Sequence, residues 1–322
     1  MNIFDVYKKY REYRITYENA LSVMWKLYRG KEFIPVILRD HSKRVWQFDW
    51  VLSYRDVVNL FPENTEKIKQ LIDSISLRPY KDELGEFIEF KYKNHQCKFY
   101  GVMEAARIIN GDILGVFFIE DYEFLNPKKS IVIDIGANIG DTAIYFVLND
   151  AERVIALEPF PFSYKYANIN VTANKMNDKI EILNAGYGKD LEVSVDPNTI
   201  SNGRSLLLPS KEGKRIKAYS LRALINMYGL SNKDNLLLKM DCEGCEYNLL
   251  DEPIEILKKF NKIEMEFHYG YKNLESKLKE AGFSVHHSKP LKSSGSEPSL
   301  RKMALINKDF TFGIIYADRH PV

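Results

Sequence analysis

Between Ile131 and Thr142 the chain reads IVIDIGANIGDT: an apolar run, an acid, a glycine-flanked turn and the start of a helical pattern. An unbroken apolar run of this kind marks a strand buried on both faces. Glycines at 136 and 140 allow a tight turn and let a ligand approach bare backbone at a helix N-terminus. Such a unit calls for a sheet covered by helices on both sides. Downstream, apolar runs at Val154–Leu157, Ile180–Ala185, Leu236–Met240 and Ile263–Phe267 supply further strands. Helical patterns at Asp141–Leu148, Ser163–Lys175, Leu221–Tyr228, Glu246–Leu257 and Leu274–Ala281 separate them. Strands near Phe283–His287 and Phe312–Ala317 follow each other with no helical pattern between, which predicts an antiparallel pair closing the sheet. The polar stretch Ser194–Lys217 is expected to be a long functional loop, a lid.

Upstream, Val6, Tyr10, Tyr13, Tyr17, Leu21, Met24 and Tyr28 recur at helical steps, predicting a helix over Phe4–Tyr28 that Gly30 ends. Tyr54–Phe61 and Thr65–Ile75 read as two more helices. From Glu86 the period shortens to two, predicting a strand, a turn at Asn94-His95, a return over Gln96–Val102 and a short strand at Val116–Ile119. The expected organisation is a mainly helical region over 1–85, a β-rich connecting segment over 86–129, and the main α/β domain over 130–322.

With 46 basic and 44 acidic residues, the chain lacks the basic surplus a nucleic-acid partner requires. No run of about 20 apolar residues is present to span a membrane. The first residues carry charges where a signal peptide needs an apolar core, so a cytoplasmic location is expected. Three cysteines make no disulfide framework. Cys242 and Cys245 have zinc-ligand spacing but no second pair, and are read as packing residues.

The strand Val154–Leu157 ends in Glu158, placed to accept paired hydrogen bonds from ribose hydroxyls. The turn reads G-x-N-x-G, not the dinucleotide G-x-G-x-x-G, and Asp134 precedes it. A carboxylate there would repel a pyrophosphate but suits the ammonium group of S-adenosylmethionine. These segments resemble class I methyltransferases, and more narrowly the FkbM family. The resemblance rests on the DIGANIG turn, VIALEP at Val154–Pro159, the block Lys239–Glu246 (KMDCEGCE) and the strand end Glu266-Phe267-His268. It implies a Rossmann-like, seven-stranded, mostly parallel sheet beside an N-terminal α+β accessory region, and methyl transfer, usually to oxygen. It further implies that Asp134, Gly136, Asn138, Gly140 and Asp141 hold the methionine part. Glu158 would hold the ribose, and Asn184, Ala185 and Gly186 would lie beside the adenine.

Asp241 ends the fourth strand, where ligands bind in open α/β sheets. With Glu243 and His268 it forms the candidate catalytic set. His268 is the expected base, since an imidazole titrates near neutrality, and the acids would orient it or the acceptor. Glu246 is open to either a capping or a catalytic role. The same cluster could hold Mg²⁺, although a metal-free site is the favoured expectation. The resemblance implies that the acceptor is a hydroxyl on a sugar, glycan or small metabolite. Two other readings stay open: a non-catalytic nucleotide-binding or scaffold module, and an NAD-dependent oxidoreductase.

Overall fold

The strands Ile131–Ile135 and Leu236–Met240 are buried at every position, isoleucine, valine and leucine making up most of both. The computed structural model describes residues 3–60, 62–74, 80–101, 109–195, 214–292 and 311–319. The chain divides into two compact units, 1–121 and 122–322.

In the first unit, the expected single helix is two: α1 over Ile3–Thr16 and α2 over Ala20–Tyr28. The break falls at Asn19, whose side chain donates to the carbonyl of Pro35 and accepts from the N–H of Ile37. A side chain that bonds backbone in this way competes with helix continuation. Both partners lie on β1 (Phe33–Ile37), paired antiparallel with β2 (Lys43–Gln47), a hairpin the helical-period reading missed. α3 (Phe48–Leu60) and α4 (Thr65–Ser74) follow. Tyr13, Tyr17, Trp46 and Tyr54 form a chain of ring contacts in the core. β3 (Tyr80–Asp82), β4 (Gly85–Tyr92) and β5 (His95–Tyr100) make an antiparallel sheet. Ile109–Ile119 is π-helical, which corrects the strand expected at Val116–Ile119. The all-apolar run Val116–Ile119 has no readable period, and the rings of Phe90, Tyr92 and Phe99 pack around Phe117 within it.

The second unit carries β6 (Ile131–Ile135), α5 (Asp141–Leu148), β7 (Arg153–Leu157), α6 (Pro161–Ala173), β8 (Ile180–Leu183), β9 (Ala185–Tyr187), β10 (Leu191–Val195) and β11 (Lys214–Tyr219). After these come α7 (Leu221–Met227), β12 (Leu236–Met240), α8 (Ile254–Leu257), β13 (Phe260–Phe267), α9 (Lys272–Glu280), β14 (Ser284–His287), β15 (Leu291–Lys292) and β16 (Thr311–Asp318). The main sheet runs β14-β16-β13-β12-β6-β7-β8, with β15 also pairing β16. β13, β12, β6, β7 and β8 are parallel, and β16 lies antiparallel between β13 and β14. This is the expected Rossmann-like, seven-stranded, mostly parallel sheet with its antiparallel closure.

Two readings change. Glu246–Leu257 is not one helix: a 3₁₀ segment Cys245–Asp251 is followed by α8. Pro253 lies between them, where its missing N–H and fixed φ stop continuation. The expected lid Ser194–Lys217 is strand at both ends, since β10 and β11 pair with each other and β11 pairs with β9. The residues between them lie outside the described residues, as do Ile75 and Val102.

Candidate active site

The turn after β6 is fixed from both sides. Gly136 has φ +81°, and a Cβ on it would lie 1.8 Å from the backbone oxygen of Asp241. Only glycine meets both conditions. The N–H groups of Gly136 and Ala137 both donate to the carbonyl of Leu157, the last residue of β7. Gly140, at φ +83°, would bring a Cβ to 3.3 Å from the backbone of Ala167 on α6. The two glycines thus serve strand-end contact and helix packing respectively.

Glu158 is buried at the end of β7. Its Oε2 accepts from the N–H of Asn138, and its Oε1 from the N–H of Phe160, each at 2.8 Å. The carboxylate therefore ties the first loop to the second, and each oxygen keeps further acceptor capacity. Burial pushes it up to about 8, against the two N–H groups that favour its charge. Asn184 donates to the carbonyls of Glu158 and Pro159, locking the end of β8 to the same loop. Ala185 and Gly186 are buried on β9.

Asp134 and Lys239 face each other across β6 and β12. They form a fully buried ion pair with 3.0 Å between Oδ1 and Nζ, while Thr142 donates to Oδ2. Lys239 also donates to the carbonyl of Gly136. Burial works against its charge, but Asp134, Asp241 and Asp141 hold it above the ordinary lysine range. The Asp134 carboxylate is thus held by Lys239 and Thr142 beneath the turn. Lys239 stood in the sequence block, but nothing in an apolar strand pattern signals a buried partner. Asp141 opens α5, and its buried Oδ1 has no hydrogen-bond partner among the described residues. Burial pushes this acid up to about 7.

At the ends of β12 and β13, Asp241, Glu243 and His268 come together, with ligand-type atoms all within 4.8 Å of one another. His268 is enclosed by acids. Nδ1 lies 2.9 Å from Oε1 of Glu246, and Nε2 lies 3.3 Å from Oε2 of Glu243 and 3.9 Å from Oε1 of Glu266. Both ring nitrogens face carboxylates, and a doubly protonated ring can donate to both sides. Burial opposes the charge, but Glu246, Glu243 and Glu266 hold the imidazole up to about 10. The acids around it thus favour the protonated ring over the imidazole near neutrality that its ordinary value suggests. Glu246 proves central. It is wholly buried, and it accepts from Nδ1 and the backbone N–H of His268 and from the N–H of Gly244. Its two oxygens divide the work: Oε1 holds His268, while Oε2 accepts from the Gly244 N–H at the start of the 3₁₀ segment.

Cys242 and Cys245 are joined by a disulfide, with their Cα atoms 5.4 Å apart. Both also pack against the core of this unit, as expected, and the bond between them is the addition. A C-x-x-C spacing is compatible with a bond, a metal or neither, and only the backbone turn decides.

A parallel sheet of this strand order, with a glycine turn after its first strand and an acid at the end of its second, defines a Rossmann-like class I methyltransferase fold. Residues 134–285 match the model of the methyltransferase FkbM domain. Ribosomal protein L11 methyltransferase of Carboxydothermus hydrogenoformans is 34% identical over 61 residues, 19% of this chain and 20% of that protein. The chain is thus matched to only a fifth of that relative's length. Among solved structures, precorrin-6y C5,15-methyltransferase from Geobacter metallireducens aligns at 14% identity and a TM-score of 0.33, covering 63% of this chain and 90% of that one. M. jannaschii TYW2 in complex with AdoMet aligns at 14% identity and a TM-score of 0.35, covering 74% and 89%. No helix among the described residues is long and apolar enough to cross a membrane.

Proposed function

We propose that this chain is an S-adenosylmethionine-dependent methyltransferase acting on a hydroxyl of a sugar, glycan or small metabolite. The observation that carries this reading is the contact between its two halves: the Gly136 turn lies directly against the backbone of Asp241. A ligand cradled by the turn is therefore adjacent to the acidic cluster. The residues present fit the cofactor. The turn has no side chain at Gly136, the Glu158 oxygens can accept from ribose hydroxyls, and the unpartnered Oδ1 of Asp141 suits the ammonium of the methionine part. Asn138, Gly140, Asn184, Ala185 and Gly186 complete this binding set, and Asp134 supports it through Lys239. When bound, S-adenosylmethionine supplies an electrophilic methyl group on a sulfonium.

The acceptor side belongs to Asp241, Glu243 and His268. A hydroxyl must be aligned and must lose its proton as it is methylated. With His268 already protonated, Asp241 or Glu243 takes that proton, and the imidazolium holds Glu243 in place. The cluster is read as metal-free, because the charge on His268 supplies the cation its acids require. Paired carboxylates also suit sugar hydroxyls, which they bind by accepting two hydrogen bonds.

Calorimetry with S-adenosylhomocysteine, followed by transfer assays across hydroxyl acceptors, tests the reading. Binding together with transfer to a hydroxyl supports it. Binding of NADH in place of S-adenosylhomocysteine would overturn it, and binding without transfer to any acceptor would favour a scaffold.

A further inference from the structure

We propose that the Cys242–Cys245 disulfide is a reversible redox modification site that sets the position of Glu243, with a dithiol as its reductant. The inference rests on the reading of Asp241, Glu243 and His268 as the acceptor-side cluster.

The bond closes a tight turn in which the N–H of Cys245 donates to the carbonyl of Cys242 at 3.4 Å. Both central residues of that turn have positive φ, Glu243 at 57° and Gly244 at 114°. Glycine adopts this conformation freely, whereas the Cβ of a glutamate crowds the following carbonyl there. The turn therefore holds Glu243 in a conformation its own backbone disfavours. That conformation brings Oε2 to 3.3 Å from Nε2 of His268. The flanking positions carry the rest of the cluster: Asp241 precedes the first cysteine, and Glu246 follows the second. Cys242 Sγ itself lies 3.7 Å from Oε2 of Glu246. Both cysteines are half-buried. Cys97 is buried, and its thiol is pushed up to about 12 by that burial, so it takes no part in exchange.

The chemistry is thiol–disulfide exchange. One thiolate of the dithiol attacks a sulfur of the pair, the Cys242–Cys245 bond breaks, and a mixed disulfide forms. The second thiol of the reductant displaces the protein sulfur. The reductant leaves as a disulfide, and its two electrons and two protons remain on Cys242 and Cys245 as thiols. Exchange with a disulfide partner runs the reaction backward. With the bond open, Glu243 relaxes toward right-handed φ and its carboxylate leaves His268.

The test compares the full chain before and after dithiothreitol. Native alkylation read by intact mass should add two groups only after reduction, one for each cysteine of the pair. Hydrogen exchange over 241–250 should quicken on reduction. Turnover should fall by ~10²-fold, the scale of a misplaced catalytic group, while affinity for S-adenosylhomocysteine stays unchanged. The double variant Cys242→Ser, Cys245→Ser should match the reduced protein and ignore dithiothreitol. Free thiols in protein treated with an oxidised dithiol would overturn the proposal. So would equal exchange and equal turnover in the two states. Redox-dependent exchange in a protein that never transfers methyl would uphold the modification site and refute the enzymatic reading.

Discussion

One carboxylate oxygen of Glu246 accepts from His268 twice, from ring Nδ1 at 2.9 Å and from backbone N–H at 3.1 Å. The 3₁₀ segment after β12 and the end of β13 are thereby joined through a single buried atom. Orientation of the imidazole thus depends on Glu246. Glu246→Gln keeps the shape but removes the charge and one acceptor oxygen. Its turnover should drop by ~10–100-fold, the range seen when the partner of a functional histidine is lost. Calorimetry should find S-adenosylhomocysteine affinity unchanged, and a parallel loss there would assign Glu246 to cofactor binding instead.

Removing the ring has a further consequence for stability. In His268→Ala, Glu246 stays wholly buried and loses its cationic partner. Breaking one side of a buried pair costs about 3–5 kcal/mol. Denaturant unfolding should show a loss of this size. An unchanged midpoint would mean that the histidine is not charged in the folded protein.

Glu158 predicts a pH dependence. Its folded value of about 8 exceeds its ordinary value of 4.5, so the folded state holds an extra proton between them. Its contribution to stability is present below 4.5 and is lost as pH rises through about 8. Ribose hydroxyls donate to the ionised form. S-adenosylhomocysteine affinity should therefore rise from pH ~6 to ~9, as the carboxylate ionises. The rise should vanish in Glu158→Gln, and calorimetry across this range checks both. A flat wild-type profile would separate Glu158 from the ribose.

Gly136→Ala should be among the most damaging single changes in the chain. The added methyl would meet the Asp241 backbone at 1.8 Å, and the residue would sit in a left-handed conformation that alone costs about 1–3 kcal/mol. Thermal unfolding should reveal a large drop in Tm together with lost S-adenosylhomocysteine binding. Gly229→Ala serves as the control, because it shares a positive φ but has open space around it.

Exhaustive treatment with EDTA should leave transfer intact, since protonated His268 already provides positive charge among Asp241, Glu243 and Glu246. Activity lost to the chelator and restored by Mg²⁺ would instead make Asp241, Glu243 and His268 ligands of a cation.

The strand–helix alternation after Ser130, the turn glycines and the acid at 158 were legible in the chain itself, because buried strands demand unbroken apolar runs and tight turns demand glycine. The same reasoning located Asp241, Glu243 and His268 at strand ends. It missed the hairpin at Phe33–Gln47 and the helix at Ile109–Ile119, where long-range partners overrule local period. The sequence likewise carried no sign that Asp134 belongs to Lys239, that Glu246 belongs to His268, or that Cys242 and Cys245 are bonded. Those pairings were decided by strand register and backbone turn, which set charges a few ångströms apart, and it is distance and burial that convert a list of acids and a histidine into defined protonation states.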